Sequence, residues 1–220
     1  TVEERERRGR FQLSVAVGAA YHSRTFKSSE SKPLESVGSG MIPAAAQLEL
    51  RRKLGVVSEN PNDASGTTFS LIASLLAEKA EPTTAGILVE QFPVPLARLS
   101  ATLERETWGA QGGVGVYATT SQRFTWIGRR VQNERKMLIG LTATFGALPT
   151  VASAWHWRGQ LALIAVGAKG ADGSFTLRVP LGGAVRPIEF SGLFIESEAL
   201  LRFVDVETSF GGMVRFGYGL

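Results

Sequence analysis

Met137-Leu138-Ile139-Gly140-Leu141-Thr142-Ala143-Thr144-Phe145 is the stretch on which the reading of the fold turns. It is one of eight short β-rich runs that follow Gly112, separated by Gly, Pro or polar residues about every dozen positions. The others are Gly115–Thr119, Arg123–Ile127, Gln160–Gly167, Ser174–Val179, Ile188–Ile195, Leu200–Glu207 and Met213–Tyr218. Eight closely spaced strands predict an antiparallel sandwich or barrel, and eight is the number in a jelly roll.

Upstream the text is different. Phe11–Val17 alternates apolar with small or polar residues and reads as a half-buried strand. Lys27 to Gly40 reads as a loop. Pro43 stands where a first helical residue belongs, Ala44–Leu54 are helix formers, and Gly55 follows Arg51, Arg52 and Lys53 as a stop. Phe69, Ile72, Leu75 and Leu76 recur at helical spacing up to Ala80. The expected fold is therefore mainly β, an antiparallel jelly-roll-like sandwich with two short helices in its N-terminal half. Residues 1–10 form a charged arm and 11–220 a single domain, with the strand core in 113–220 and helical insertions at about 43–54 and 68–80. Gly86–Phe92 reads as strand, and Leu96–Thr107 fits helix or extended chain.

Composition bounds the chemistry. The chain has 220 residues, 44% of them hydrophobic and 20% charged, enough to bury a core of its own. The longest apolar stretch, around Leu161–Ala168, falls short of the roughly 20 residues of a spanning helix, and Thr1–Arg10 lacks the pattern of a secretory signal. The expectation is a soluble protein with no membrane partner. There is no cysteine, which excludes disulfides, thiolate metal sites and cysteine nucleophiles.

Only His22 and His156 are available for acid–base work. His22 reads as a loop residue, and His156, between Trp155 and Trp157, as part of an aromatic cluster. Neither has further ligands at metal-binding spacing. Gly112-Gly113-Val114-Gly115 lacks the flanking strand and helix of a dinucleotide site and reads as a tight turn. The expectation is no enzyme, cofactor, metal or small-molecule substrate. The net charge of +4 makes nucleic acid a plausible partner.

Leu148 to Leu163 carries a small-residue turn, Trp155-His156-Trp157, Gly159 and a strand. Lys169 to Val179 adds a glycine-bearing loop and the next strand. This segment resembles the capsid jelly roll of picorna-like viruses, especially the comovirus and nepovirus group. The resemblance implies a coat-protein subunit that assembles with other capsid subunits into an icosahedral virion around RNA. Arg5, Arg7, Arg8, Arg10, Arg129 and Arg130 are then the candidate RNA contacts. Trp108, Trp126, Trp155 and Trp157 are the candidate anchors of core or interfaces.

A second likeness competes. Ile42–Ala46 before a helix, and Gly211–Gly219, resemble the RNA-binding backbone subunits of CRISPR effector complexes. An outer-membrane barrel ranks last, because it needs strands of about ten residues with lipid-facing alternation throughout, whereas two segments read as helices and the chain ends in Leu220.

Overall fold

The computed structural model describes residues 11–26, 34–39, 45–54, 66–79, 93–107, 110–127, 130–147, 155–181, 192–204 and 207–220. They form eleven strands in one antiparallel sheet: β1 (Phe11–Phe26), β2 (Leu34–Ser39), β3 (Ala45–Leu54), β4 (Gly66–Lys79), β5 (Pro93–Thr107), β6 (Ala110–Ile127), β7 (Arg130–Ala147), β8 (His156–Val166), β9 (Gly170–Pro180), β10 (Gly192–Val204) and β11 (Glu207–Gly219). From β3 to β11 each strand pairs with its successor, and β11 pairs with β1. β2 and β3 both pair with β1, at its far and near halves, and so share one stave. The sheet is a closed barrel of ten staves, an up-and-down meander.

The register fixes its shape. Paired positions lead from Ser14 through Glu49, Ile72, Ser100, Tyr117, Gly140, Ile164, Gly170, Val204 and Glu207 back to β1 at Phe26, twelve residues beyond the start. Ten staves with that stagger require a strand tilt of about 40°, so each residue climbs about 2.5 Å along the barrel axis.

This architecture corrects the expected jelly-roll sandwich, because a single sheet closed on itself has no second sheet to pack against. Both expected helices are strands. The segment 43–54 holds β3, with Pro43 outside the described residues, and 68–80 holds β4. In β4 the lumen side carries Thr68, Ser70, Ile72, Ser74 and Leu76, while Phe69, Leu71, Ala73 and Leu75 face outward. Apolar residues on both faces erase the period of two and leave a spurious helical one. Gly112–Gly115 lies within β6, not in a turn, and the runs at 115–119 and 123–127 are one strand. Leu200–Glu207 is likewise no single strand: Leu200–Val204 ends β10 and Glu207 begins β11.

The polarity of the wall is inverted relative to a protein folded in water. Among the described residues twenty-three polar or charged side chains are buried against twelve hydrophobic ones. Twenty-nine large hydrophobic side chains are exposed, Leu141 at 70% and Val114 at 69% among them. Along β10 the residues Phe194, Glu196, Glu198, Leu200, Arg202 and Val204 point inward, and Leu193, Leu201 and Phe203 outward. Two small apolar clusters stand inside, Ala45, Leu76, Leu96, Leu200 and Met213 in one and Leu138, Ile164 and Val204 in the other.

Candidate functional site: a charged lumen

The inward faces of the strands bring six arginines and six carboxylates into the barrel: Arg51, Arg98, Arg158, Arg178, Arg202 and Arg215 with Glu49, Glu104, Asp172, Glu196, Glu198 and Glu207. The charges balance. That is the condition for keeping ions out of water, since an unpaired buried charge costs several kcal/mol.

A relay of alternating charge crosses the lumen. Arg178 donates from Nη2 to Glu49 Oε2 at 2.7 Å and to Glu196 Oε2 at 2.6 Å, and its Nε reaches the same Glu196 oxygen at 2.9 Å. Arg215 Nη2 donates to Glu196 Oε1 and to Glu198 Oε2, each at 2.6 Å. Arg98 closes the relay on Glu198 Oε1 at 2.7 Å. The Arg178 guanidinium also lies over the Phe194 ring, 4.3 Å from its centre, and the Cζ and Cε2 atoms of that ring fill the space above Gly217.

Toward the end where β5 turns into β6, Glu104 gathers Arg158, Thr102, Thr144 and Ser70, with Arg51 at 3.5 Å. Gln111 bridges this group to His156 at 3.2 Å. Toward the other end, Tyr117 donates to Asp172 at 2.6 Å, and Arg202 meets Asp172 at 3.4 Å and Glu207 at 3.6 Å. Arg202 also donates to the Thr120 carbonyl at 3.1 Å and to Thr119 Oγ1 at 3.0 Å. These bonds serve β6 where its ladder to β5 stops, because the β5–β6 register ends at Arg98 and Thr119 although both strands continue.

The central cavity, walled by Arg98, Tyr117, Arg158, Asp172 and Arg178 among others, measures about 40 Å³, room for about three water molecules.

The electrostatics follow from burial and pairing. Burial alone raises the Glu49 carboxyl, but the guanidinium groups of Arg178, Arg51 and Arg158 outweigh it and hold the group far below the usual carboxylate range. Glu198 is lowered in the same way, burial opposing and Arg98 and Arg215 prevailing. Asp172 is raised, since burial exceeds the pull of Arg202 and Arg98. His156 is pushed well down by burial and by Arg178 and Arg51.

The signs predict acid sensitivity. A lowered histidine is stabilising above its unfolded value of 6.5 and loses that contribution as pH falls below it. Glu49 and Glu198 add a steeper loss once pH drops below their unfolded value of 4.5. Asp172 works oppositely, gaining on acidification through its raised folded value, and softens the decline. Unfolding free energy measured by urea titration is expected to be flat between about pH 7 and about pH 9, with His156→Asn removing the loss between 6.5 and 4.5. An unchanged profile in that variant would place the first loss on other groups.

Of the residues singled out from sequence, His156 is the one seen to reach this lumen. Arg5, Arg7, Arg8, Arg10, Arg129 and Trp108 lie outside the described residues. Arg130 pairs with Ile127 at the start of β7, and Trp126 pairs with Val131. Trp155 and Trp157 stand on the outer wall, where Trp157 stacks on Phe175 at 5.8 Å and meets Phe145 edge-on at 6.2 Å. His156 points the other way, into the lumen, and so leaves the aromatic cluster expected for it. His22 lies in β1, opposite Ser39 and Gly211, not in a loop. The Gly211–Gly219 segment is strand β11.

The signal that was missed is in the sequence nonetheless. Glu196, Glu198 and Arg202, and likewise Arg158 and Arg178, sit at even spacing inside apolar strands, which is affordable only on a face where they meet one another. No protein-family model matches the chain, and no curated protein matches it either.

Proposed function

We propose that this chain is an integral membrane β-barrel of the outer-membrane type, whose lumen is closed by ion pairs so that the barrel serves as an anchor or scaffold in the bilayer and not as a diffusion pore. The observation that carries the reading is the inverted wall. Along β11 the exposed apolar side chains run from Phe210 to Leu220, a climb of about 25 Å, which is the height of the apolar band in such barrels. Among the described residues the exposed charges stand at its margins, Arg52 and Arg105 at one end and Glu134, Arg135 and Lys169 at the other. Aromatic residues flank both margins, with Phe11, Trp155 and Tyr218 near the first and Tyr21, Phe203 and Phe210 near the second. No helix among the described residues is long and apolar enough to cross a membrane, but a tilted strand needs only about 9–11 residues to do so.

The ion pairs across the lumen support the second half of the proposal, because the cavity among them measures about 40 Å³, room for about three water molecules. The coat-protein and guide-RNA readings draw on a jelly roll and on a glycine-rich loop. Those two segments are a barrel wall and a strand, so neither reading gains an observation here.

The test is to refold the chain into phosphatidylcholine vesicles. Heat-modifiable electrophoretic mobility and resistance of the strands to protease are expected, together with no steady single-channel conductance in planar bilayers. A chain that stays in the aqueous phase after detergent phase separation overturns the membrane reading. A stable ohmic conductance overturns the closed lumen.

A further inference from the structure

The outer wall is not uniform. Across β3 to β6 the outward positions Ala46, Ala73, Ala97 and Ala118 lie two to a row, and each alternates with a leucine or threonine of the neighbouring strand. The result is an apolar groove of about 480 Å³, running from Val15 on β1 to Met137 on β7. Its course follows the hydrogen-bond direction over five interstrand spacings, about 24 Å at about 4.8 Å each. With strands tilted about 40°, that course climbs about 15 Å to Ile139, and Met137, two residues further up β7, adds about 5 Å, so the groove descends about 20 Å from the charged margin into a hydrocarbon core about 30 Å thick.

Two further features point to the occupant. At the upper end, Arg135 stands exposed on the same face of β7, one outward position above Met137 and level with the charged margin. A cation at that height complements an anionic headgroup whose chain descends from it. Above the groove the ladder between β5 and β6 stops, but the free stretch of β5 contains Pro93 and Pro95, which cannot donate to an added strand. A second copy is therefore not invited in by edge pairing.

We propose that this groove holds one acyl chain of an anionic phospholipid from the surrounding bilayer, with its headgroup at Arg135. The assignment rests on the membrane reading above. It makes the β3–β6 face a lipid-specific site on a wall that otherwise meets lipid without preference.

Native mass spectrometry of the full chain, released from detergent after incubation with equimolar phosphatidylglycerol and phosphatidylcholine, tests it. The expected spectrum shows a single retained lipid, with phosphatidylglycerol favoured about fivefold, the factor one surface cation supplies. Filling the floor in the double variant Ala97→Leu/Ala118→Leu is expected to remove that adduct, while Arg135→Glu keeps a lipid but loses the headgroup preference. Because the substitutions lie on the outer face, heat-modifiable mobility should be retained in both, and this is measured on the same samples.

An adduct unchanged by filling the groove overturns the proposal, as does a dimer that the double variant abolishes. A chain that folds and inserts but retains no lipid defeats this inference alone. A chain that never inserts defeats the membrane reading on which it stands.

Discussion

Replacing Glu196 with alanine is expected to lower the free energy of unfolding by about 3–5 kcal/mol, the range found when one partner of a buried ion pair is removed. Glu196 is the middle of the lumen relay, with one oxygen on Arg178 and the other on Arg215, and its side chain is 1% exposed. Without it the six guanidinium groups face five carboxylates. Arg178 retains Glu49 and Arg215 retains Glu198, so neither is stripped of every partner. One uncompensated charge nevertheless remains in a cavity with room for only about three water molecules.

The double variant Glu196→Ala/Arg215→Ala restores neutrality and is expected to cost less than the sum of the two single changes, with a coupling of about 0.5–3 kcal/mol. Urea titration in vesicles measures all three. A cost below about 1 kcal/mol for Glu196→Ala, the worth of a surface pair, would mean that water reaches the relay and that the lumen is open.

The second large effect lies on the opposite face. Leu161, 47% exposed on β8, sits near the middle of the apolar band, and Leu161→Arg is expected to destabilise the barrel by about 2–4 kcal/mol in a bilayer. The same change at Leu54, the last residue of β3 and two beyond the exposed Arg52, is expected to cost about 0–1 kcal/mol, since there the guanidinium reaches the interface. If the wall faced water, both changes would fall within about 0.5 kcal/mol of zero, as exposed substitutions do. The contrast between the two sites, more than either value, decides what surrounds the barrel.

Much of the strand content beyond Gly112 was legible, because runs such as Met137–Phe145 offer side chains suited to a pleated surface and are punctuated by turn residues. Their sidedness was not. Alternation says that a strand has two different faces; it does not say which of them meets solvent. In β7 the inward residues are Leu138, Gly140, Thr142, Thr144 and Gly146, small or weakly polar, and nothing in that list declares a lumen. The declaration comes from β10 and β11, where Glu196, Glu198, Arg202 and Arg215 interrupt apolar sequence at even spacing.

The length of a continuous apolar run does not bear on a barrel in a membrane. That measure applies to helices, which must be apolar on every side, and a barrel strand needs apolar residues at only every second position. The helical reading of 68–80 fails for a related reason. Ile72 faces inward in β4 between Glu49 and Ser100, and Leu76 faces inward in an apolar cluster with Ala45 and Leu96, so the strand shows apolar residues on both sides.

The pairing of β1 with β11 has a kinetic consequence. Every other ladder of the wall joins strands close in sequence and can zip as soon as its second strand is present. The closing ladder joins Ser14 to Gly219 and must bring together positions about ten times further apart than a typical hairpin, which adds about 2 kcal/mol of loop-closure entropy. Until then two open edges and the whole apolar wall are presented to whatever medium holds the chain. Assembly at a lipid surface resolves both problems in one step, since the bilayer takes up the wall while the last strand finds the first. In water the same intermediate would be a template for aggregation. Closure is thus expected to be the slow event in folding, and its rate to depend on lipid.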